Sequence, residues 1–245
     1  MESVQLRRFS PENMVKDCVA IAVGKRGTGK SVLLTDLLYH KRSIPVGLVI
    51  SATEGGNKHF SKYVPDLFIH SEFRMDILVS ALKRQKKMVY YNTPHPECFL
   101  LLDDCLYDRR NLNNETMREI FKNGRHWRIT LMLSAQYLMD LPADLRGNID
   151  YAFFLKESSI TNREKIWRNF FGVIPTFDMF NRIFDQCTEG YGCMVLDNRS
   201  RSNRIEDCVF FYEAEPNLDF QMGSKTFWKQ HKRRYNPRYR EKEFL

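Results

Sequence analysis

At 245 residues, 43% hydrophobic and 13% aromatic, the chain is long enough for one sizeable core and too apolar to be disordered. Its net charge of +8 is concentrated near the C-terminus, so the body is close to neutral. No apolar stretch approaches the roughly 20 residues that span a bilayer, and MESVQLRRFSPE has no apolar run behind its charges, so neither a membrane span nor a secretory signal is expected.

In chain order, a strand is predicted over Cys18–Val23, then a helix from Gly29 to about Tyr39 with Val32, Leu33 and Leu37 on one face. A second strand reads Val46–Ser51. Met75, Leu78, Val79 and Leu82 carry helical spacing that stops near Lys87, and Phe99–Asp103 is a short apolar strand. Asn113 or Asn114 can cap a helix bearing Met117, Ile120 and Phe121, closed by Gly124. Strands follow at Ile129–Ser134 and Tyr151–Leu155, and helices at about Asn162–Phe171 and Phe177–Cys187. A hairpin, Gly192–Leu196 with Cys208–Tyr212, encloses a polar loop holding Arg199, Arg201 and Arg204.

Short continuous apolar strands alternating with amphipathic helices imply an α/β fold, a mainly parallel sheet with helices on both faces. The expected division is one domain over 1–223 and a basic aromatic tail over 224–245. That tail has eight basic residues against Glu241 and Glu243, hence +6 of the net +8. Phe227, Trp228, Tyr235 and Tyr239 are interleaved with its cations, a composition suited to phosphate contact and base stacking. Lys229, Lys232, Arg233, Arg234 and Arg238 are thus candidate DNA contacts, as are Arg199, Arg201 and Arg204; docking on an acidic protein is the competing reading of the tail. The six cysteines, at 18, 98, 105, 187, 193 and 208, form no CxxC pair and read as buried reduced thiols.

Three local patterns carry chemistry. Gly24-Lys25-Arg26-Gly27-Thr28-Gly29-Lys30-Ser31 fits G-x-x-x-x-G-K-[ST] between a strand and a helix. The glycines let successive amides face one phosphate, and the helix adds its positive end. Lys30 can reach the β- and γ-phosphates of ATP, and the Ser31 hydroxyl can ligate Mg2+. Phe99–Asp104 (FLLLDD) is an apolar strand ending in carboxylates: Asp103 suits a Mg2+ ligand acting through water, and Asp104 a general base. Ile129–Gln136 (ITLMLSAQ) ends in an amide that falls beside Asp104 if the two strands are neighbours, where Gln136 could contact the γ-phosphate or the attacking water.

With these patterns in order, and with GRHWRITLMLSAQ and LRGNIDYAFFL, the chain resembles the FtsK-HerA superfamily of DNA-pumping ATPases. More narrowly, GKRGTGKS, Thr53-Glu54 after the second strand, the Asp-Asp pair and the compact length resemble the genome-packaging ATPases of nucleocytoplasmic large DNA viruses. The resemblance implies a RecA-like, ASCE-type core in a homo-oligomeric ring, pentameric or hexameric, around duplex DNA. It implies capsid proteins as further partners, and work at virus assembly sites in the host cytoplasm or in the virion. Arg125 precedes the Ile129 strand, at the amino-end edge opposite the nucleotide, where it could act as an arginine finger on a neighbouring subunit. The resemblance agrees through Gly124-Arg125, and Arg146, at a similar edge before the Tyr151 strand, is the runner-up. Asp104 departs from the Glu common in the superfamily and is one methylene shorter. Two other readings compete with genome packaging: an FtsK-HerA-type translocase of a mobile element or cellular system, and an ATP-dependent assembly switch or scaffold.

Overall fold

A computed structural model describes residues 6–105, 112–137, 139 and 141–236. Its nine strands are β1 (Arg7–Arg8), β2 (Val19–Val23), β3 (Val46–Ser51), β4 (Ile69–His70), β5 (Cys98–Asp103), β6 (Ile129–Ala135), β7 (Tyr151–Phe154), β8 (Gly192–Asp197) and β9 (Val209–Glu213). They form one sheet in the order β1-β9-β8-β7-β2-β6-β5-β3-β4. The run from β7 to β4 is parallel throughout, whereas β8 is antiparallel to both β7 and β9. The C-terminal hairpin therefore extends the main sheet.

The helices are α1 (Lys30–His40), α2 (Glu54–Asn57), α3 (Met75–Tyr90), α4 (Glu115–Asn123), α5 (Ala143–Arg146), α6 (Ile160–Phe170), α7 (Phe177–Cys187), α8 (Ile205–Cys208) and α9 (Lys225–Arg234). Side chains alternate across the central strands and feed two cores. Ile21, Leu100, Leu102, Leu131 and Leu133 pack with Leu78 of α3, Ile120 of α4 and Phe180 of α7. Ala20, Ala22, Leu101 and Met132 face the other way, onto Leu33, Leu34 and Leu37 of α1. Because both faces are covered, these strands are continuously apolar in sequence. Among the described residues, no helix is long and apolar enough to cross a membrane.

Caps fall where the sequence places them: the Asn114 side chain accepts from the Thr116 amide at 2.9 Å and opens α4. All six cysteines are buried and unpaired. Burial pushes the thiols of Cys18, Cys98, Cys105 and Cys187 up to about 12.

The expectation of a separate tail is corrected by α9. This helix is capped by Ser224 and docks on the body through Phe227, 2% exposed, which stacks on Phe68 at 4.3 Å between ring centroids. Trp228 Nε1 donates to the Met222 carbonyl at 2.9 Å, and the Leu67 amide donates to His231 Nδ1 at 3.3 Å. Phe227 and Trp228 are thus anchors to protein, not platforms for bases. Lys229, Lys232, Arg233 and Arg234 remain on the surface; Arg238 lies outside the described residues.

Removing a fully buried aromatic ring costs about 3–5 kcal/mol. Phe227→Ala should lower unfolding free energy by that amount in urea titration, and truncation after Gly223 should lower it at least as far. An unchanged midpoint in either variant would mean that α9 is a detachable tail after all.

Candidate functional site

Parallel strands end together at one edge of the sheet, and the phosphate-type loop leaves β2 at that edge. Its backbone turns at Gly27 (φ 78°) and Gly29 (φ 97°), conformations open to glycine. Gly24 is needed for a different reason: a Cβ there would stand 2.6 Å from Thr28 Oγ1 and 3.0 Å from Leu155 Cβ. Lys30 is buried, and its Nζ donates to the carbonyls of Gly24 (2.7 Å) and Lys25 (2.9 Å). Burial holds its ammonium below the ordinary lysine value, opposed by the nearby carboxylates of Asp104 and Asp103. Lys25 pairs with Glu157 at 2.7 Å and ties the loop to the segment after β7.

The second and third patterns meet the first. Ser31 Oγ donates to Asp103 Oδ2 at 2.9 Å, and Ser134 Oγ donates to Asp103 Oδ1 at 2.7 Å. Ser134 also accepts from the Asp104 amide at 2.9 Å, so one hydroxyl fixes both carboxylate residues. Asp104 sits at φ 51°, a left-handed turn that redirects its side chain away from the strand. There its Oδ1 accepts from Gln136 Nε2 at 2.7 Å. Asp103 is 1% exposed; burial raises its carboxyl above the usual range, although the Ser134 and Ser31 hydroxyls and Lys30 pull the other way.

Lys30, Ser31, Asp103 and Asp104 line a cavity of about 580 Å³, and Gln136 joins them through its bond to Asp104. A hydroxyl and a carboxylate oxygen 2.9 Å apart are the hard oxygen donors that Mg2+ takes, so Ser31 and Asp103 fit that ion. Thr53, Asn57 and His59 come from the connection after β3, Tyr191 from the turn before β8, and Glu213 and Pro216 from the end of β9 and beyond. Of these, only Thr53 belongs to a pattern read in the sequence. Tyr191 is 71% exposed, a flat ring beside Gly29. Glu54 acts on the backbone instead, where its carboxylate accepts from the amides of Phe60 (3.0 Å) and Ser61 (2.9 Å).

The two finger candidates belong to the opposite edge, at the amino ends of the parallel strands. Arg125 is half exposed and pairs with Asp150 at 3.2 Å; Asp150 Oδ2 accepts from the Val19 amide at the start of β2. Arg199 reaches the same Asp150 oxygen at 3.5 Å. Arg146 is half-buried, with Nη1 donating to the Leu141 carbonyl at 2.9 Å. Arg204 lies beside Glu206 at 3.6 Å, while Arg201 is exposed. The basic hairpin loop and α9 therefore stand away from the cavity and apart from the carboxylate pair.

A parallel sheet with this loop at its carboxyl edge, and a paired carboxylate on the neighbouring strand, defines a P-loop NTPase of the RecA-like type. Solved structures agree on the fold. The genome packaging NTPase B204 from Sulfolobus turreted icosahedral virus 2, in complex with ATP-gammaS, superposes with a TM-score of 0.58 at 14% identity, over 84% of this chain and all of that one. The cytoplasmic domain of the Thermomonospora curvata Type VII secretion ATPase EccC gives 0.53 at 13% identity, over 82% of this chain and 26% of that one.

The chain belongs to the Poxvirus A32 protein family, whose model matches residues 6–173. Uncharacterized protein L437 of Acanthamoeba polyphaga mimivirus is 37% identical over 244 residues, covering 96% of this chain and 86% of that protein. Uncharacterized protein 075L of Invertebrate iridescent virus 6 is 37% identical over 231 residues, covering 93% and 90%. The likeness to proteins of large DNA viruses read from the motifs is thus present at the level of family.

Asp103 generates a prediction with a definite sign. Its carboxyl is raised in the folded chain, so the folded state takes up its proton more readily than the unfolded one. The ionised group therefore burdens stability above the folded value, and that burden fades as pH falls toward the unfolded value. In nucleotide-free protein, Asp103→Asn should raise Tm at neutral pH. The gain should shrink at acidic pH; a gain that grows on acidification would reverse the assignment.

Proposed function

We propose that this protein hydrolyses ATP and couples the reaction to driving viral duplex DNA into a preformed capsid, as one subunit of a pentameric or hexameric ring. The observation that carries the ATPase reading is the meeting of Gly24–Ser31, Asp103, Asp104 and Gln136 at one end of three adjacent strands. Packaging is supported by the family, by relatives in large DNA viruses, and by a fold shared with a viral genome packaging NTPase. Work at assembly sites in the host cytoplasm, or in the virion, belongs to the same proposal.

In this reading the loop amides surround the β-phosphate, and Lys30 leaves the Gly24 and Lys25 carbonyls for the β- and γ-phosphates. Ser31 would hold Mg2+ directly and Asp103 through water; the ion, when bound, supplies positive charge to the phosphate oxygens. Asp104 takes the proton of the attacking water on its carboxylate. Its short side chain is aimed by the left-handed turn and by the bond from its amide to Ser134. Gln136 orients Asp104 and that water through its amide. The exposed cations of the hairpin loop, with Lys229, Lys232 and Arg233 of α9, supply phosphate contacts for DNA.

Lys30→Ala should abolish hydrolysis and greatly weaken ATP binding. Asp104→Asn should keep nucleotide affinity while lowering kcat by about 10²–10⁴, the range of general-base catalysis. Wild-type turnover in Asp104→Asn would move the role of base elsewhere.

Arg125 lies at the amino ends of the parallel strands, opposite the phosphate-type loop, and pairs there with Asp150; in a ring it would act on a neighbour's nucleotide. As a finger it would be worth about 10³–10⁵ in rate. Arg125→Ala and Lys30→Ala proteins, each inactive alone, should recover part of the ATPase rate when mixed. Demonstrably mixed rings with no recovery would sink the assignment.

A further inference from the structure

The strongest feature outside the nucleotide site is a cleft of about 410 Å³ at the amino ends of β3 and β5, between α3 and α9. Its floor is apolar, made by Val46, Leu48, Phe68, Ala81 and Phe227. Its rim carries Arg84 of α3 and Arg234 of α9, and among the described residues no acidic side chain lines it. Lys83 and Lys87 on α3 extend the positive charge on one side as exposed residues.

Two further observations bear on what would fill it. β4 pairs with β3 only at Val49 and Ile50, so among the described residues the outer edge of Val46–Leu48, which lines the cleft, has no strand partner. Gln230, also in the lining, has its Oε1 buried with no hydrogen-bond partner. A buried acceptor without a donor is costly, and a row of strand amides and carbonyls is a template for another chain.

We infer that this cleft docks an extended acidic peptide from a partner protein, which inserts one bulky apolar side chain. The peptide runs beside the outer edge of β3, as a strand added to a sheet. One of its backbone amides donates to Gln230 Oε1, its apolar side chain covers Phe68 and Phe227, and its carboxylates meet Arg84 and Arg234. Duplex DNA fits the cations but not the floor, because a phosphate backbone offers nothing apolar to fill a cleft and no peptide amides for a strand edge. The site is distinct from the ATPase chemistry, since every residue named lies away from the nucleotide cavity.

The test uses the full chain and fluorescein-labelled peptides with four glutamates on each side of a central Trp, Leu or Gly, read by anisotropy. The Trp and Leu peptides should bind at least about tenfold more tightly than the Gly peptide, the smallest gain expected from burying one large apolar side chain. Arg84→Glu combined with Arg234→Glu should weaken the Trp peptide at least about tenfold, and so should Thr226→Trp, which fills the cleft from an exposed position. An unchanged Tm establishes that these surface variants are folded. Equal affinity for the Trp and Gly peptides, or undiminished binding by the charge-reversed variant, overturns the proposal. So does a short DNA duplex that depends on Arg84 and Arg234 while no peptide binds, an outcome that makes the surface a nucleic-acid contact.

Discussion

Parallel register among β2, β6 and β5 is the constraint from which the nucleotide edge follows. Val23 lies opposite Ala135, and Leu102 opposite Leu133. The next residues in each strand are then forced together: Gly24 donates its amide to Ala135, and Ser134 comes between Asp103 and Asp104. A slip of one residue would turn every side chain to the other face. Ala20 and Ala22, small enough to receive α1, would be exchanged for Val19, Ile21 and Val23, and the Ser134 bridge would be lost. Packing on both faces thus fixes, to within one residue, where the chemistry can occur.

How much of this is legible in the sequence depends on whether the information is local. β2, β5 and β6 are readable because burial on both faces makes them unbroken apolar runs, and the phosphate-type loop because its geometry demands glycine at fixed spacing. The neighbouring placement of Asp104 and Gln136 is also accessible, since it needs only two adjacent strands. By contrast, β1 and β4 have two residues each and carry no periodicity. Helix α9 reads as a free tail because its many solvated cations dominate the composition, while one residue, Phe227, decides its docking. Asn57, Tyr191 and Pro216 reach the cavity from three separate segments, and only the folded topology brings them together.

The sheet also separates roles along its own length. Carboxylates and the phosphate-type loop occupy one edge; Arg125, Arg199 and the amino-end cleft occupy the other. Five residues of β2 join them, roughly 16 Å at about 3.3 Å per residue. Asp150 closes the far end of that span, joined to β2 in both directions: its amide donates to the Val19 carbonyl at 2.9 Å and its carboxylate accepts from the Val19 amide at the same distance. The residue that holds Arg125 and Arg199 is therefore tied by two hydrogen bonds to the first residue of the central strand.

The six buried cysteines give the molecule an internal gauge of its own opening. A thiol reacts as the thiolate, and burial keeps these groups protonated at neutral pH. An alkylating reagent can reach them only when the surrounding structure parts, so each labelling rate measures a local opening equilibrium. The positions sample different regions: Cys105 follows the Asp103–Asp104 turn, Cys193 lines the nucleotide cavity, and Cys98 lines the amino-end cleft. Nucleotide should slow labelling at Cys105 and Cys193 and leave Cys98 to report on the other edge, all in the native sequence without an added probe.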